Sequence, residues 1–291
     1  MNRFYDEIME LHESEDIKRI IRGWENFSHN KARFAPDVPV VLPDILWITG
    51  SGYGTTNLLR LLSEYLYEEQ IMEFYGDVKF FEFELEYCGR ESRFEPFELF
   101  CDAERKASGF RNEYKGIVCI NIDGWKKHLN EKHFLNFLEY LSLRSDSWHI
   151  IFTVSNADED KISEIESVLS VYFRIEKAVF SLPATEDLYV YMENRLAKYG
   201  FGVHQFAKKI LIETVEELRK SKYFDGYKTL NMICSDLVYS AFSADDFEGY
   251  TITEAIAGNY SKRSDFVKKT MANIERRKKI GFGISGGETD V

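Results

Sequence analysis

Residues 45–66 read ILWITGSGYGTTNLLRLLSEYL: an apolar strand, Ile45–Thr49, then a glycine-rich turn, then a helix that the turn opens. This is the layout of a phosphate-binding loop. Glycines let the backbone curl so that its N–H groups converge on phosphate oxygens, and the following helix adds the positive end of its dipole. In the pattern G-x-x-x-x-G-K-[ST] a lysine bridges the outer phosphates and a hydroxyl holds Mg2+. Aligned on that pattern, the window runs from Thr49 to Thr56. Thr49 stands at the first glycine with Gly50 behind it, and Ser51, Gly52, Tyr53 and Gly54 complete the turn. Thr55 takes the lysine's place, Thr56 keeps the hydroxyl, and Asn57 follows. The curl and the dipole survive but the point charge is lost, which weakens nucleotide binding because a lysine–phosphate bond is charge-assisted. By itself the window reads equally well as a tight strand–helix turn with no ligand.

Four more strand patterns follow, at Val78–Glu84, Ile117–Ile122, Trp148–Val154 and Ala178–Leu182. Helical patterns fill the gaps: about 56–74, then Phe94–Ser108, His133–Arg144 and Asp160–Tyr172. Strands alternating with helices predict a parallel sheet in a three-layer α/β domain. The runs IVCINI and HIIFTV are apolar almost throughout, as central strands covered on both faces are. Ahead of the loop, Ile8, Leu11, Ile17, Ile20, Ile21, Trp24 and Phe27 predict one helix over 3–29. After Pro183 the strand patterns stop. Thr185 is a candidate cap for a helix ending at Gly200, and helices are expected at about 205–220 and 228–242. The expected organisation is an α/β core over 1–183, a small all-helical lid over 184–258, and a basic helix and tail over 259–291.

Two further residues fall at strand ends, where open α/β sheets bind ligands. Asp123 closes GIVCINID; an acid there can hold Mg2+, and a glutamate after it often activates water. The next residue is Gly124, which can transfer no proton. Asn156 follows HIIFTVS, where an amide can orient the attacking water. Alone, Asp123 is also a turn cap and Asn156 a turn residue.

Taken together, the glycine loop, IVCINID, IIFTVSN and YFRIEKAVFSLPATEDLYVYMENRLAKYG resemble an AAA+ ATPase module over roughly residues 5–242. The flavour is similar to the bacterial clade that includes the red-type rubisco activase. The resemblance implies a five-stranded sheet ordered 5-1-4-3-2, a helical lid, ATP or ADP with Mg2+ between them, and ring or helical oligomers. On this resemblance Gly50, Gly52, Gly54 and Thr56 match the Walker A loop and Asp123 the Walker B acid. Asn156 matches the sensor-1 residue, Arg174 stands near an arginine finger that reaches a neighbour's ATP, and Lys228 stands near the sensor-2 arginine. Thr55 and Gly124 depart from it, removing the groups that stabilise phosphate charge and position water. The expectation is a degenerate AAA+ protein with little or no hydrolysis, a pseudo-ATPase working through protein partners, as a homo-oligomer or beside an active ATPase. An active ATPase with an unusual site, rescued by Arg60 or Lys228, is the alternative. Restoring both groups, Thr55→Lys with Gly124→Glu, is expected to raise ATP affinity.

Composition bounds the rest. The chain has 291 residues, 44% of them hydrophobic, and a net charge of −12, which argues against broad nucleic-acid binding. Only the basic run from Lys262 to Lys279 favours a nucleic-acid role, and such a run is more often a solvated helix and tail. Cys88, Cys101, Cys119 and Cys234 make no C-x-x-C pair or zinc spacing and fit a reducing cytoplasm. The N-terminal stretch is too polar for a signal peptide, and no apolar run reaches the ~18 residues of a membrane span.

Overall fold

Leu46 and Ile48 point to one side of the first strand, Ile45 and Trp47 to the other, and all four are buried. A strand buried on both faces needs a layer above and below it, and that requirement organises the first of two compact units, residues 1–182. The structure, a computed structural model, describes residues 2–9, 14–34, 42–50, 53–87, 95–109, 114–144, 147–155, 157–220, 224–244 and 249–262. Ser51, Gly52, Cys88, Asn156 and the basic run beyond Lys262 lie outside the described residues.

The strands are β1 (Asp44–Thr49), β2 (Phe80–Glu84), β3 (Gly116–Asn121), β4 (Trp148–Ser155) and β5 (Ile175–Val179). They form one parallel sheet in the order β2-β3-β4-β1-β5, which is the expected 5-1-4-3-2. Helices α1 (Arg3–Met9), α2 (Glu15–Phe34) and α3 (Thr55–Glu68) cover the face that carries Ile45, Trp47, Cys119 and Ile151. Helices α4 (Glu95–Ser108), α5 (Lys132–Ser142) and α6 (Glu159–Leu169) cover the face that carries Leu46, Val118, Ile120 and Phe152. These are the three layers the alternation of strands and helices predicts.

Several expected boundaries move. The helix expected over 3–29 is two helices, and the second begins after Ser14. The Ser14 hydroxyl accepts from Ile17 N–H at 3.3 Å, as an N-cap does. Ser14 also donates to the Val179 carbonyl at 2.8 Å, while Asp16 accepts from Val179 N–H at 3.1 Å. Two side chains thus finish the open edge of β5, where unpaired backbone groups would otherwise be left. The helix expected to reach Phe74 stops at Glu68. Gln70 takes a left-handed φ of 52°, and the N–H groups of Gln70 and Ile71 fold back onto the carbonyls of Tyr67 and Leu66. That is a Schellman motif without its usual glycine. The fifth strand is Ile175–Val179 rather than Ala178–Leu182, because Asp44 to Ile48 of β1 pair with Ile175 to Val179.

The second unit, from Pro183, packs α7 (Thr185–Lys198), α8 (Gln205–Arg219), α9 (Gly226–Phe242) and α10 (Glu254–Lys262) around Leu188, Met192, Leu211, Ile233 and Leu237. Among its described residues the regular structure is helical except for two-residue strands β6 (Gly202–Val203) and β7 (Thr251–Ile252), which pair in parallel. Helix α10 runs across the expected boundary at 258. Thr185 does not cap α7. It is the helix's first residue, and its hydroxyl accepts from Arg219 at 3.1 Å. Among the described residues no helix is long and apolar enough to cross a membrane.

Candidate functional site

The glycine turn closes β1 and starts α3. Gly54 is the residue before the helix, at φ 76° and ψ 18°. Glycine adopts this left-handed conformation without Cβ strain. Gly50 serves a different purpose. A Cβ placed there would lie 2.6 Å from the Tyr53 ring, so the ring lies directly over Gly50. Thr55 and Thr56 open the helix. The Thr56 hydroxyl donates to the Glu82 carboxylate on β2, 3.0 Å from each oxygen. Asn57 accepts from Arg60 at 3.1 Å, which turns the Arg60 guanidinium along its own helix.

Asp123 lies just beyond β3, in a single 3-10 turn, Asp123–Trp125. In such a turn residues three apart eclipse one another, so Lys126 is delivered onto Asp123. The Lys126 ammonium sits 2.8 Å from Asp123 Oδ1 and donates to the Ser155 carbonyl at 2.5 Å. Ser155, the last residue of β4, donates its N–H to Oδ1 at 2.8 Å and its hydroxyl to Oδ2 at 2.6 Å. Burial pushes the Asp123 carboxyl up. The hydrogen bonds from Lys126 and Ser155 outweigh burial and hold the group below its ordinary range, as donors to the charged form do.

Gly124 has a steric reason. A Cβ there would stand 2.9 Å from the Leu85 carbonyl oxygen, 2.9 Å from Tyr87 N and 3.3 Å from Glu86 Cα. The backbone of residues 85–87 occupies the space a side chain would need. Trp125 holds that backbone in place, its indole N–H donating to the Glu86 carbonyl at 3.2 Å.

The sheet thus brings the loop, Asp123 and Ser155 to one end, with Thr49 beside Ser155 in register. Of the sequence candidates, Ser51, Gly52 and Asn156 lie outside the described residues. Arg174 is at the opposite end of the sheet, exposed, one residue ahead of β5 where that strand pairs with Asp44. It makes no ion pair among the described residues. Lys228 belongs to the second unit and pairs with Asp225 at 3.6 Å. Sequence reading missed Lys126, Ser155 and Glu82. The D-x-x-K spacing at 123–126 was the available signal, and it means contact only once a tight turn is known.

The fold can be named from this layout. The order of the parallel strands, with a glycine turn between β1 and α3, is the AAA+ P-loop NTPase fold. No protein-family model matches the chain, and no curated protein matches it. Solved structures do. The RuvB Holliday junction branch migration motor of Thermotoga maritima superposes with a TM-score of 0.51 at 10% identity, over 83% of this chain and 67% of that one. A point mutant of the same RuvB gives 0.51 at 11% identity, over 84% and 68%. At that identity the likeness is one of fold.

Proteins of this fold generally bind nucleotide with Mg2+. At Asp123 the surroundings do not fit that metal. Mg2+ takes oxygen ligands in a near-octahedral shell at about 2.0–2.1 Å. The Thr56 hydroxyl gives its proton to Glu82 and keeps its lone pairs, but Asp123 already holds an ammonium and both donors of Ser155. No step through a metal is derived from this arrangement.

Proposed function

We propose that this chain is a non-catalytic AAA+-like subunit, a pseudo-ATPase of the cytoplasm, that binds ATP or ADP weakly or not at all and acts through protein contacts in an assembly. The observation that carries the reading is the state of Asp123. The acid that would serve a metal is neutralised by Lys126 and Ser155, and the position that would hold the water-activating glutamate is roofed by backbone. With Thr55 in place of the lysine and Gly124 in place of the glutamate, the site lacks two of the groups that phosphoryl transfer draws on for charge stabilisation and for positioning water. Arg174 supports the partner reading. It is exposed and remote from its own loop, and such a guanidinium can serve a neighbouring chain, either a second copy or an active ATPase. The net charge of −12 opposes a nucleic-acid role, and the RuvB likeness at 10% identity does not supply one.

The test is a calorimetric titration with Mg-ATP and Mg-ADP, with phosphate release and light scattering in the same buffers. The expected outcome is absent or millimolar binding and no turnover. Turnover that disappears in Asp123→Asn would overturn the reading.

A further inference from the structure

We infer that Lys126 is a built-in cation that stands in for a divalent metal at Asp123, so that this carboxylate is closed to Mg2+. The inference deepens the non-catalytic reading of the same site and rests on it, but it concerns the metal alone.

The geometry carries it. A carboxylate offers about four lone-pair positions. Three are filled here, by the Lys126 ammonium and Ser155 N–H on Oδ1 and by the Ser155 hydroxyl on Oδ2. The position left is on Oδ2 of the same carboxylate, so a metal at Asp123 would have to displace the ammonium or stand close to it, and two cations so close repel in a partly shielded site. The shielding is real, since the side chains of Lys126 and Asp123 are only 23% and 27% exposed. Nor is Lys126 a surface side chain that happens to reach an acid. Its ammonium donates to the Ser155 carbonyl as well, so one lysine joins the turn after β3 to the last residue of β4. A bridging metal ion would join strand ends in the same way. The surroundings fix the lysine's position. The 3-10 turn sets Lys126 over Asp123, and the turn's own shape is held by residues 85–87 packed on Gly124 and by Trp125 bonded to Glu86. Among the described residues no group of three or more His, Cys, Asp and Glu side chains could hold a metal ion.

The experiment uses Tb3+ alone, an oxygen-seeking ion whose luminescence Trp125 can sensitise from two residues away. Wild type and Asp123→Asn should give the same titration. Lys126→Met should gain a site that binds on the order of tenfold more tightly, and the gain should vanish in Lys126→Met with Asp123→Asn. Lys126→Arg, which keeps the charge, should behave as wild type. If Lys126→Met does not fold by circular dichroism, Lys126→Gln, which keeps a donor for the Ser155 carbonyl, takes its place. A wild-type signal that falls on Asp123→Asn would overturn the inference, as would a folded Lys126 variant with no Asp123-dependent gain. ATP turnover by wild type would instead overturn the non-catalytic reading and leave the Tb3+ result to decide this one.

Discussion

Gly124→Ala, the smallest change at the position after Asp123, tests the reading of the site without any ligand. The new Cβ would lie 2.9 Å from the Leu85 oxygen and 2.9 Å from Tyr87 N, where ordinary contact begins at 3.4 Å, so the 85–87 backbone must retreat by several tenths of an ångström. Backbone retreats less readily than the end of a flexible side chain. Overpacking of this kind costs about 1–3 kcal/mol. The segment that must move also carries the Leu85 N–H bond to the Asn121 carbonyl at 2.9 Å and the Trp125 indole bond to Glu86 at 3.2 Å. Losing one of them adds ~1 kcal/mol. For a unit of this size ~2 kcal/mol lowers Tm by about 4–8 °C. Thermal unfolding followed by tryptophan fluorescence reads this directly, because Trp125 is buried beside the substitution. Gly124→Glu should be at least as damaging. Thr55→Lys with Gly124→Glu should therefore bind ATP no better than Thr55→Lys alone, so that any gain over wild type comes from the lysine. A Tm for Gly124→Ala within about 1 °C of wild type would refute the steric argument, and ATP hydrolysis by the double variant would refute its functional consequence.

Three further outcomes are expected. Burial raises the Asp44 carboxyl to about 7, against a weaker opposing bond from Ile150 N–H. An acid whose folded pKa is raised stabilises below its unfolded value near 4 and loses that contribution as pH climbs through 7, so Asp44→Asn should gain on wild type by ~1.4 kcal/mol per unit between about pH 4 and 7. Urea unfolding at both ends of that window gives the answer, and a constant gap would contradict it. Gln70 sits at a φ of 52°, which only glycine takes without strain. Gln70→Gly should therefore stabilise by about 1 kcal/mol in urea unfolding, whereas Gln70→Ala should not. Arg174→Ala should leave Tm within about 1 °C of wild type, as exposed substitutions do, while weakening self-association or association with an active ATPase in light scattering; an unchanged assembly would remove the arginine from the partner interface.

The sequence made the sheet legible because its central strands are apolar on both faces. Where a strand lies at the edge, that signal fails. Ile-Glu-Lys-Ala-Val alternates, and the more apolar run just after it drew the expected strand too far along the chain. Helix ends failed for a local reason. Gln70 does what glycine usually does, and no pattern in the sequence announces it. At the site, the glycine loop and Asp123 could be read from residue type and position. Lys126 and Ser155 could not, since their contact with Asp123 depends on a 3-10 turn and on the register that sets Asn121 beside Thr153.

That register also explains what Asp123 does at the end of the sheet. An acid half-hidden between two strand ends costs stability unless it is paired, and removing one partner of such a group costs more than the pair contributes. Here the partners are supplied by this chain: Lys126 from the same turn, Ser155 from the neighbouring strand. Asp123 thereby joins β3 to β4 at the end of the sheet, and its carboxylate is retained by a structural bond that needs no metal. Gly124 belongs to the same arrangement, because a side chain there would push residues 85–87 off the turn that places Lys126. Gly124 and Lys126 are therefore two parts of one local structure, in which an ammonium fixed by the fold holds the carboxylate.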